Sequence, residues 1–267
     1  MKISASIVFY NTSPEMAGKL LSCIVNSSIE IQTICIDNSP SNALSSECSS
    51  YNALYIHCPD NPGFGSAHNK VLPLIDSDVH FILNPDIEFD ENAIEQLATR
   101  LLCEKKLSAI TPKIVYPDKK TQRLCKLLPT PLNLIFRRFV PWAAKKLDYQ
   151  YEMQWFDYLS EIHLPCASGC FIGIKTDILK LHAGFDSQFF MYMEDVDLTR
   201  RISQSGDILF FPSVNVTHEF AKSSYKNRKI LFIHILSAIK YFNKWGWFID
   251  TDRKQINKQI QKIERNS

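Results

Sequence analysis

Residues 3–10, ISASIVFY, closed by Asn11-Thr12-Ser13-Pro14, decide how this chain folds. The first eight residues are apolar and β-rich, and the closing four are a turn and a helix-start signal. A helix is expected over residues 14–27. The alternation then continues. Strands are expected at 31–36 (IQTICI), 54–57 and 80–83 (HFIL), with helices at 65–74 and 92–104. These strands are apolar on both faces, the pattern of a parallel sheet covered by helices. Ligands of such folds sit beyond the carboxyl ends of the strands. Three polar clusters fall there: Asp37-Asn38-Ser39, residues 60–65, and Asn84-Pro85-Asp86. Each alone reads as turn chemistry; three in register read as a shared site.

The bulk properties narrow the class. A chain of 267 residues with 45% hydrophobic residues makes one large domain or two closely joined lobes. The net charge of +2 gives no global field for nucleic acid. No run is long enough to span a membrane, and the first residues read as a strand rather than a signal peptide. The 8 cysteines contain no Cys-x-x-Cys pair, so a zinc site is not expected and buried reduced thiols are.

Downstream, residues 111–165 are interrupted by prolines and read irregularly. Strand and helix return over 167–181, and strands follow at 207–211 and 214–220. A helix is expected at 228–245, and Ile256, Ile260 and Ile263 mark a final amphipathic helix. Between these lies Gly184-Phe185-Asp186, then Phe189-Phe190-Met191-Tyr192-Met193-Glu194-Asp195-Val196-Asp197-Leu198, closed by Arg200-Arg201. Three acids in four positions suit a helix N-terminus, with Asp197 paired to Arg200 or Arg201 one turn on. They equally suit a general base set against apolar walls.

The remaining candidates also carry two readings. Asp86 could hold a hard divalent cation together with substrate phosphates, or serve a turn. Asn61-Pro62-Gly63-Phe64-Gly65 permits close backbone approach to a ligand, but lacks the Gly-Lys-Ser/Thr of a P-loop. Asp37 could accept hydrogen bonds from a base or ribose, or form an Asx turn before Pro40. His218 is a lone imidazole, structural or a metal ligand.

Together these pieces resemble the family-two inverting glycosyltransferases with a GT-A fold, over nearly the whole chain to about residue 245. The resemblance is carried by Tyr10-Asn11, Asp37-Asn38-Ser39, Asn61 to Gly65 with Asn69, Leu83-Asn84-Pro85-Asp86, Ala167-Ser168-Gly169, the 184–201 segment, and His218 with Ser223. It is closest to the bacterial rhamnosyltransferase branch of O-antigen and surface polysaccharide synthesis. It implies an α/β fold in which a Rossmann-like nucleotide-binding sheet merges with an acceptor lobe, followed by a helical C-terminal tail. The corresponding parts are residues 1–110, 111–225 and 226–267.

The resemblance also implies roles. Asp195 would be the catalytic base, with Glu194, Tyr192, Ser168 and Gly169 on the acceptor side. Tyr10, Asn11, Asp37, Asn38, Asn61, Gly63, Gly65, Asn69 and Asn84 would line the donor. Asp86 and His218 would hold Mg²⁺ or Mn²⁺. Asn84 departs from the family's Asp-x-Asp, and Asn-Pro-Asp is common in the rhamnosyltransferase branch. The implied donor is dTDP-β-L-rhamnose, with UDP-glucose, UDP-galactose or a GDP-sugar as alternatives, and the implied acceptor is a saccharide or lipid-linked saccharide. The processive branch's Gln-x-x-Arg-Trp motif and membrane helices are not found.

Two segments have the composition of a peripheral membrane contact, as well as of ordinary packing or a homodimer interface. Residues 127–146 place Leu132, Leu134, Ile135, Phe136, Phe139 and Trp142 beside basic residues. The tail places Trp245, Trp247 and Phe248 ahead of Lys254, Lys258 and Lys262. The expected location is the cytoplasm or the inner face of its membrane. A nucleotidyltransferase would want a Gly- and basic-rich loop after the first strand, and residues 10–14 have neither. A non-catalytic sugar-nucleotide-binding protein would require the acids around Asp195 to be purely structural.

Overall fold

Along β1 (Ile3–Phe9) the side chains alternate between two layers. Ile3, Ala5, Ile7 and Phe9 join one core, and Val8 joins the other. Ser4 and Ser6 share the face of Val8 and are fully buried, so their hydroxyls need partners. His80 supplies both: its Nδ1 lies 2.7 Å from Ser4 Oγ and its Nε2 lies 2.8 Å from Ser6 Oγ. His68 Nδ1 meets Ser6 Oγ at 2.8 Å. The computed structural model describes residues 1–134, 148–219 and 228–266. Ile135, Phe136, Phe139, Trp142 and Ser223, named above, lie outside the described residues, as does the side chain of Ile263.

The elements follow in the order α1 (Pro14–Val25), β2 (Ile31–Asp37), α2 (Ser45–Ser50), β3 (Leu54–His57), α3 (Phe64–Asn69), β4 (Val79–Leu83), β5 (Ile87–Phe89), α4 (Ala93–Cys103) and β6 (Leu107–Val115). Then come β7 (Ile162–Leu164), β8 (Phe171–Lys175), α5 (Thr176–Leu181), α6 (Glu194–Ile202), β9 (Asp207–His218), α7 (Arg228–Trp245) and α8 (Thr251–Asn266). Helix α1 starts where its sequence dictates. Ser13 Oγ accepts the Met16 amide, Pro14 opens the first turn and Glu15 faces the helix dipole.

Strand order is β3-β2-β1-β4-β8-β6-β9-β5, with β7 paired to β9. The expected parallel sheet is present in β3-β2-β1-β4 and corrected beyond it. β8 runs antiparallel to both β4 and β6, so the sheet is mixed. The reversal matters for the site. An antiparallel strand begins where its parallel neighbours end, so residues 168–170 lie at the same mouth as Asn84. Helices α1 and α4 cover one face through Leu20, Leu21, Leu97 and Leu101. Helices α3, α5 and α6 cover the other through Ala67, Leu179, Leu198 and Ile202.

Other boundaries moved for local reasons. The strands expected at 207–211 and 214–220 are one strand, β9. A bulge takes up the break at Pro212, since Pro112 pairs with Phe211 and Lys113 with Asn215. Helix α3 stops at Asn69 rather than 74. All 8 cysteines are free thiols as expected, and six are buried as expected, but Cys23 is half-buried and Cys103 exposed. Among the described residues no helix is long and apolar enough to cross a membrane.

Candidate active site

The register Phe9↔Asp37 and Ile7↔Leu83 brings the ends of β1, β2 and β4 to one edge. Asp37 is only 1% exposed. Its Oδ1 accepts the Ser39 amide at 2.9 Å and its Oδ2 accepts the Tyr55 hydroxyl at 2.8 Å, so the Asx turn is formed. Burial and then Asp37 raise the Tyr55 phenol above its usual range. Ser39 Oγ accepts the Asn11 amide at 2.8 Å, and His57 Nε2 donates to the Ser39 carbonyl at 2.9 Å. Asn38 Oδ1 is buried with no hydrogen-bond partner in the structure, an acceptor left for a ligand N–H. Tyr10 stands 56% exposed at the rim.

The glycines of the 61–65 loop answer first to the protein. Gly63 has φ +96°, and a Cβ there would stand 2.3 Å from the Phe190 carbonyl oxygen. The Phe64 amide donates to that oxygen at 2.9 Å. At Gly65 a Cβ would strike the Phe185 ring. Asn61 takes φ +43° and its Oδ1 accepts the Gly63 amide at 3.3 Å. Asn69, expected at the donor, has its amide on the Phe185 backbone. Its Oδ1 accepts from Phe185 N at 2.8 Å, and its Nδ2 donates to Phe185 O at 2.7 Å. The loop is thereby locked to the segment that leads into α6.

Asp86 and His218 are brought together by the pairing Ile87↔His218. Asp86 Oδ1 lies 3.2 Å from His218 Nε2, yet is a buried oxygen without a hydrogen-bond donor. Gln122 Nε2 donates to the His218 carbonyl at 2.7 Å, and its Oε1 lies 3.0 Å from His218 Nδ1, so the ring is held with Nε2 toward Asp86. A carboxylate oxygen and an imidazole nitrogen this close are ligand types that a divalent cation such as Mg²⁺ or Mn²⁺ could take together. Among the described residues no group of three or more His, Cys, Asp or Glu forms a metal cluster. A pair leaves the other positions to water and substrate phosphates.

The Ser168–Cys170 turn joins this pair to the acidic helix. The Asn84 amide donates to the Cys170 carbonyl at 2.9 Å, and the Gly169 amide donates to Asp195 Oδ2 at 3.1 Å. Asp195 Oδ1 accepts the Val196 amide at 2.8 Å. Burial, with smaller effects of Asp195 and Asp86, pushes the Cys170 thiol up to about 12. Tyr192 and Met193 both adopt left-handed backbone, with φ of +69° and +66°, immediately before Glu194. Glu194 is buried and its Oε2 has no hydrogen-bond partner. Desolvation first, and Asp195 second, raise its carboxyl to about 8.

A family model described as "Glycosyl transferase family 2" matches residues 4–180, from β1 into α5. This chain belongs to glycosyl transferase family 2. The chain is 25% identical over 181 residues to an N-acetylglucosaminyl-diphospho-decaprenol L-rhamnosyltransferase of Mycobacterium tuberculosis. That match takes in 61% of this chain and 58% of the relative. Among solved structures it resembles GalNAc-T7 with UDP, GalNAc and Mn²⁺. The TM-score is 0.60 at 16% identity, over 81% of this chain and 43% of that one. It also resembles the mannosyltransferase PcManGT of Pyrobaculum calidifontis in complex with GDP-Man and Mn²⁺. Here the TM-score is 0.60 at 14% identity, over 90% of this chain and 64% of that one. These likenesses show that the chain has the GT-A fold.

The structure also brings in residues that sequence reasoning passed over. Gln122 orients His218 from a stretch that read as irregular, and nothing in its local pattern marks it. Asp197 is paired with Arg201 at 2.9 Å, as one of the two readings had it. It also accepts from Trp245 Nε1 at 2.8 Å and pairs with Lys244 at 2.8 Å. Arg200 turns the other way, to Asp250. Trp245, grouped with the membrane-facing tail by its sequence, therefore serves the acidic helix.

Proposed function

We propose that this glycosyltransferase moves L-rhamnose from dTDP-β-L-rhamnose to a hydroxyl of a saccharide or lipid-linked acceptor, with inversion at the anomeric carbon. The observation that carries the chemistry is the placement of Asp195. Its carboxylate is fixed by the Gly169 and Val196 amides, one short turn from the Asp86–His218 pair. Asp195 takes the proton of the acceptor hydroxyl as its oxygen attacks the anomeric carbon. The bond from that carbon to the diphosphate breaks on the opposite face, and the electron pair leaves with the nucleotide. Asp86 and His218 would hold Mg²⁺ or Mn²⁺, which supplies positive charge to the departing diphosphate. The rhamnosyl donor is supported by the Asn84-Pro85-Asp86 pattern and by the name of the mycobacterial relative. Other nucleotide sugars are the alternatives.

The place of work is bacterial surface-polysaccharide synthesis at the cytoplasmic face of the membrane. The turn Trp247–Phe248–Ile249 would meet the lipid surface. Asp195→Asn should lower kcat by about 10²–10⁴-fold while stabilisation by dTDP with Mn²⁺ is unchanged. Near-normal turnover of that variant would overturn the assignment. A thermal-shift screen of nucleoside diphosphate sugars tests the donor, because stabilisation grows by about 2.7 kcal/mol at one hundred times Kd.

A further inference from the structure

Four side chains of α7 meet the segment that leads into α6, and they meet it in reverse order. Lys244 pairs with the Asp186 carboxylate at 2.6 Å, and Lys240 donates to the Gln188 carbonyl at 2.5 Å. Ser237 donates to the Met191 carbonyl at 2.8 Å, and the His234 ring centre lies 4.7 Å from that of Tyr192. The spacing of 234, 237, 240 and 244 keeps these groups on one side of the helix. Beside them Tyr241 and Phe242 share a small core with Phe189 and Met193. Helix α7 is thus laid antiparallel along residues 186–193. The donor loop holds the same segment, but at other points. Asn69 makes two bonds to the Phe185 backbone, and the Phe64 amide donates to the Phe190 carbonyl. Beyond Phe190 the backbone turns left-handed at Tyr192 and Met193. Such backbone persists only where its surroundings hold it, and at Met191 and Tyr192 the holding groups are Ser237 and His234.

We infer that Ser237 and Lys240 are positioning residues: through them α7 sets the turn at 191–193, and with it the direction in which Asp195 points. This deepens the reading of Asp195 as the base and rests on it. Asp195 is the second residue of α6, so a shift of the turn before it carries the carboxylate along. A general base works only within hydrogen-bond reach of the proton it takes, and a displacement of about 1 Å can cost about 10²-fold in rate. Ser237 carries most of the effect, because it is buried and its bond is shielded from water. Lys240 is exposed and contributes less. Lys244 also pairs with Asp197, so it supports α6 directly as well. The two sets of anchors separate the consequences. The donor-loop bonds fix residues up to Phe190, whereas α7 fixes the turn after it. Loosening the α7 grip therefore moves the base and leaves the donor side in place, which lowers kcat without weakening donor binding.

The test is steady-state hydrolysis by the full chain of whichever of dTDP-β-L-rhamnose, UDP-glucose, UDP-galactose and GDP-mannose the wild type cleaves fastest. Ser237→Ala combined with Lys240→Met should lower kcat by about 10–10²-fold. Donor KM should stay within about twofold of wild type, and so should the apparent Kd from the thermal shift with the matching nucleoside diphosphate and Mn²⁺, which also shows that the variant folds. Phe232→Ser, on the 61% exposed side of α7 turned away from the segment, should keep the wild-type kcat. A kcat of the double variant within about twofold of wild type would overturn the inference. An equal loss in Phe232→Ser, or a lost nucleotide shift in the double variant, would also overturn it, because α7 would then support the fold in general. Near-normal turnover of Asp195→Asn beside the loss in the double variant would instead strike Asp195 as the base and leave the α7 grip on the turn standing.

Discussion

Glu194 and Asp195 are adjacent carboxyls with different surroundings. Asp195 receives two backbone N–H groups, whereas Glu194 is buried with one oxygen unserved and its carboxyl raised to about 8. The linkage has a definite sign. Between pH 4.5 and about 8 the folded chain keeps a proton on Glu194 that the unfolded chain has lost. Stability contributed there is full below 4.5 and declines as pH rises through about 8. Glu194→Gln stays neutral and removes that slope, so its Tm relative to the wild type should increase from pH 5 to pH 8.5. A constant Tm difference across that range would show that Glu194 is ionised in the fold. Gly63 supports a second residue-scale prediction. Gly63→Ala combines φ +96° with a Cβ placed 2.3 Å from the Phe190 oxygen. Chemical denaturation should show a loss of more than about 1 kcal/mol. A close backbone approach at this glycine was legible from the Asn61 to Gly65 pattern, but not that its close neighbour would be Phe190 rather than a ligand. That contact joins residues 127 positions apart in the chain.

Among the elements, α6 is held from behind by the C-terminal helices. Arg200 makes two bonds to Asp250, at 2.7 and 2.8 Å, and lies 4.1 Å from the centre of the Trp245 ring. Arg253 donates to the carbonyls of Pro129, Gly246 and Trp247. Asn257 bonds both the amide and the carbonyl of Leu128. Both charged side chains of the Arg200–Asp250 pair are about 3% exposed. Asp250→Ala strands a buried guanidinium and should cost about 3–5 kcal/mol in chemical denaturation. Asp250→Leu combined with Arg200→Met should recover much of that loss. The helices themselves were legible from spacing, and α7 begins and ends where its pattern does. Their attachment was not. Asp250 follows a run of exposed apolar residues and carries no local sign of a partner fifty positions earlier. The same limit explains β5, β7 and α2, which are three to six residues long and owe their existence to neighbours in the sheet and core.

At the scale of the molecule, the parallel half of the sheet could be read from alternation alone, and the mixed half could not. An antiparallel β8 has the same apolar composition as a parallel strand, and only its partners reveal its direction. The surface is likewise settled by the whole fold. Of the aromatic tail, Trp245 is turned inward onto Asp197, while Trp247, Phe248 and Ile249 are 36%, 76% and 89% exposed at the turn between α7 and α8. Lys254, Lys258 and Lys262 follow on α8 at i, i+4 spacing and are exposed. Apolar side chains beside a basic stripe suit an anionic lipid surface, where each lysine contributes about 1 kcal/mol. The chain should therefore co-sediment with vesicles containing phosphatidylglycerol and bind neutral phosphatidylcholine vesicles far less. Binding should fall as salt rises, because lysine–headgroup attraction is screened. Phe248→Ser with Ile249→Ser should weaken binding at every salt concentration, because it removes the apolar part alone. Replacing the three lysines with glutamine should abolish the salt dependence. Equal binding to both kinds of vesicle, or none to either, would leave the exposed turn without a lipid role.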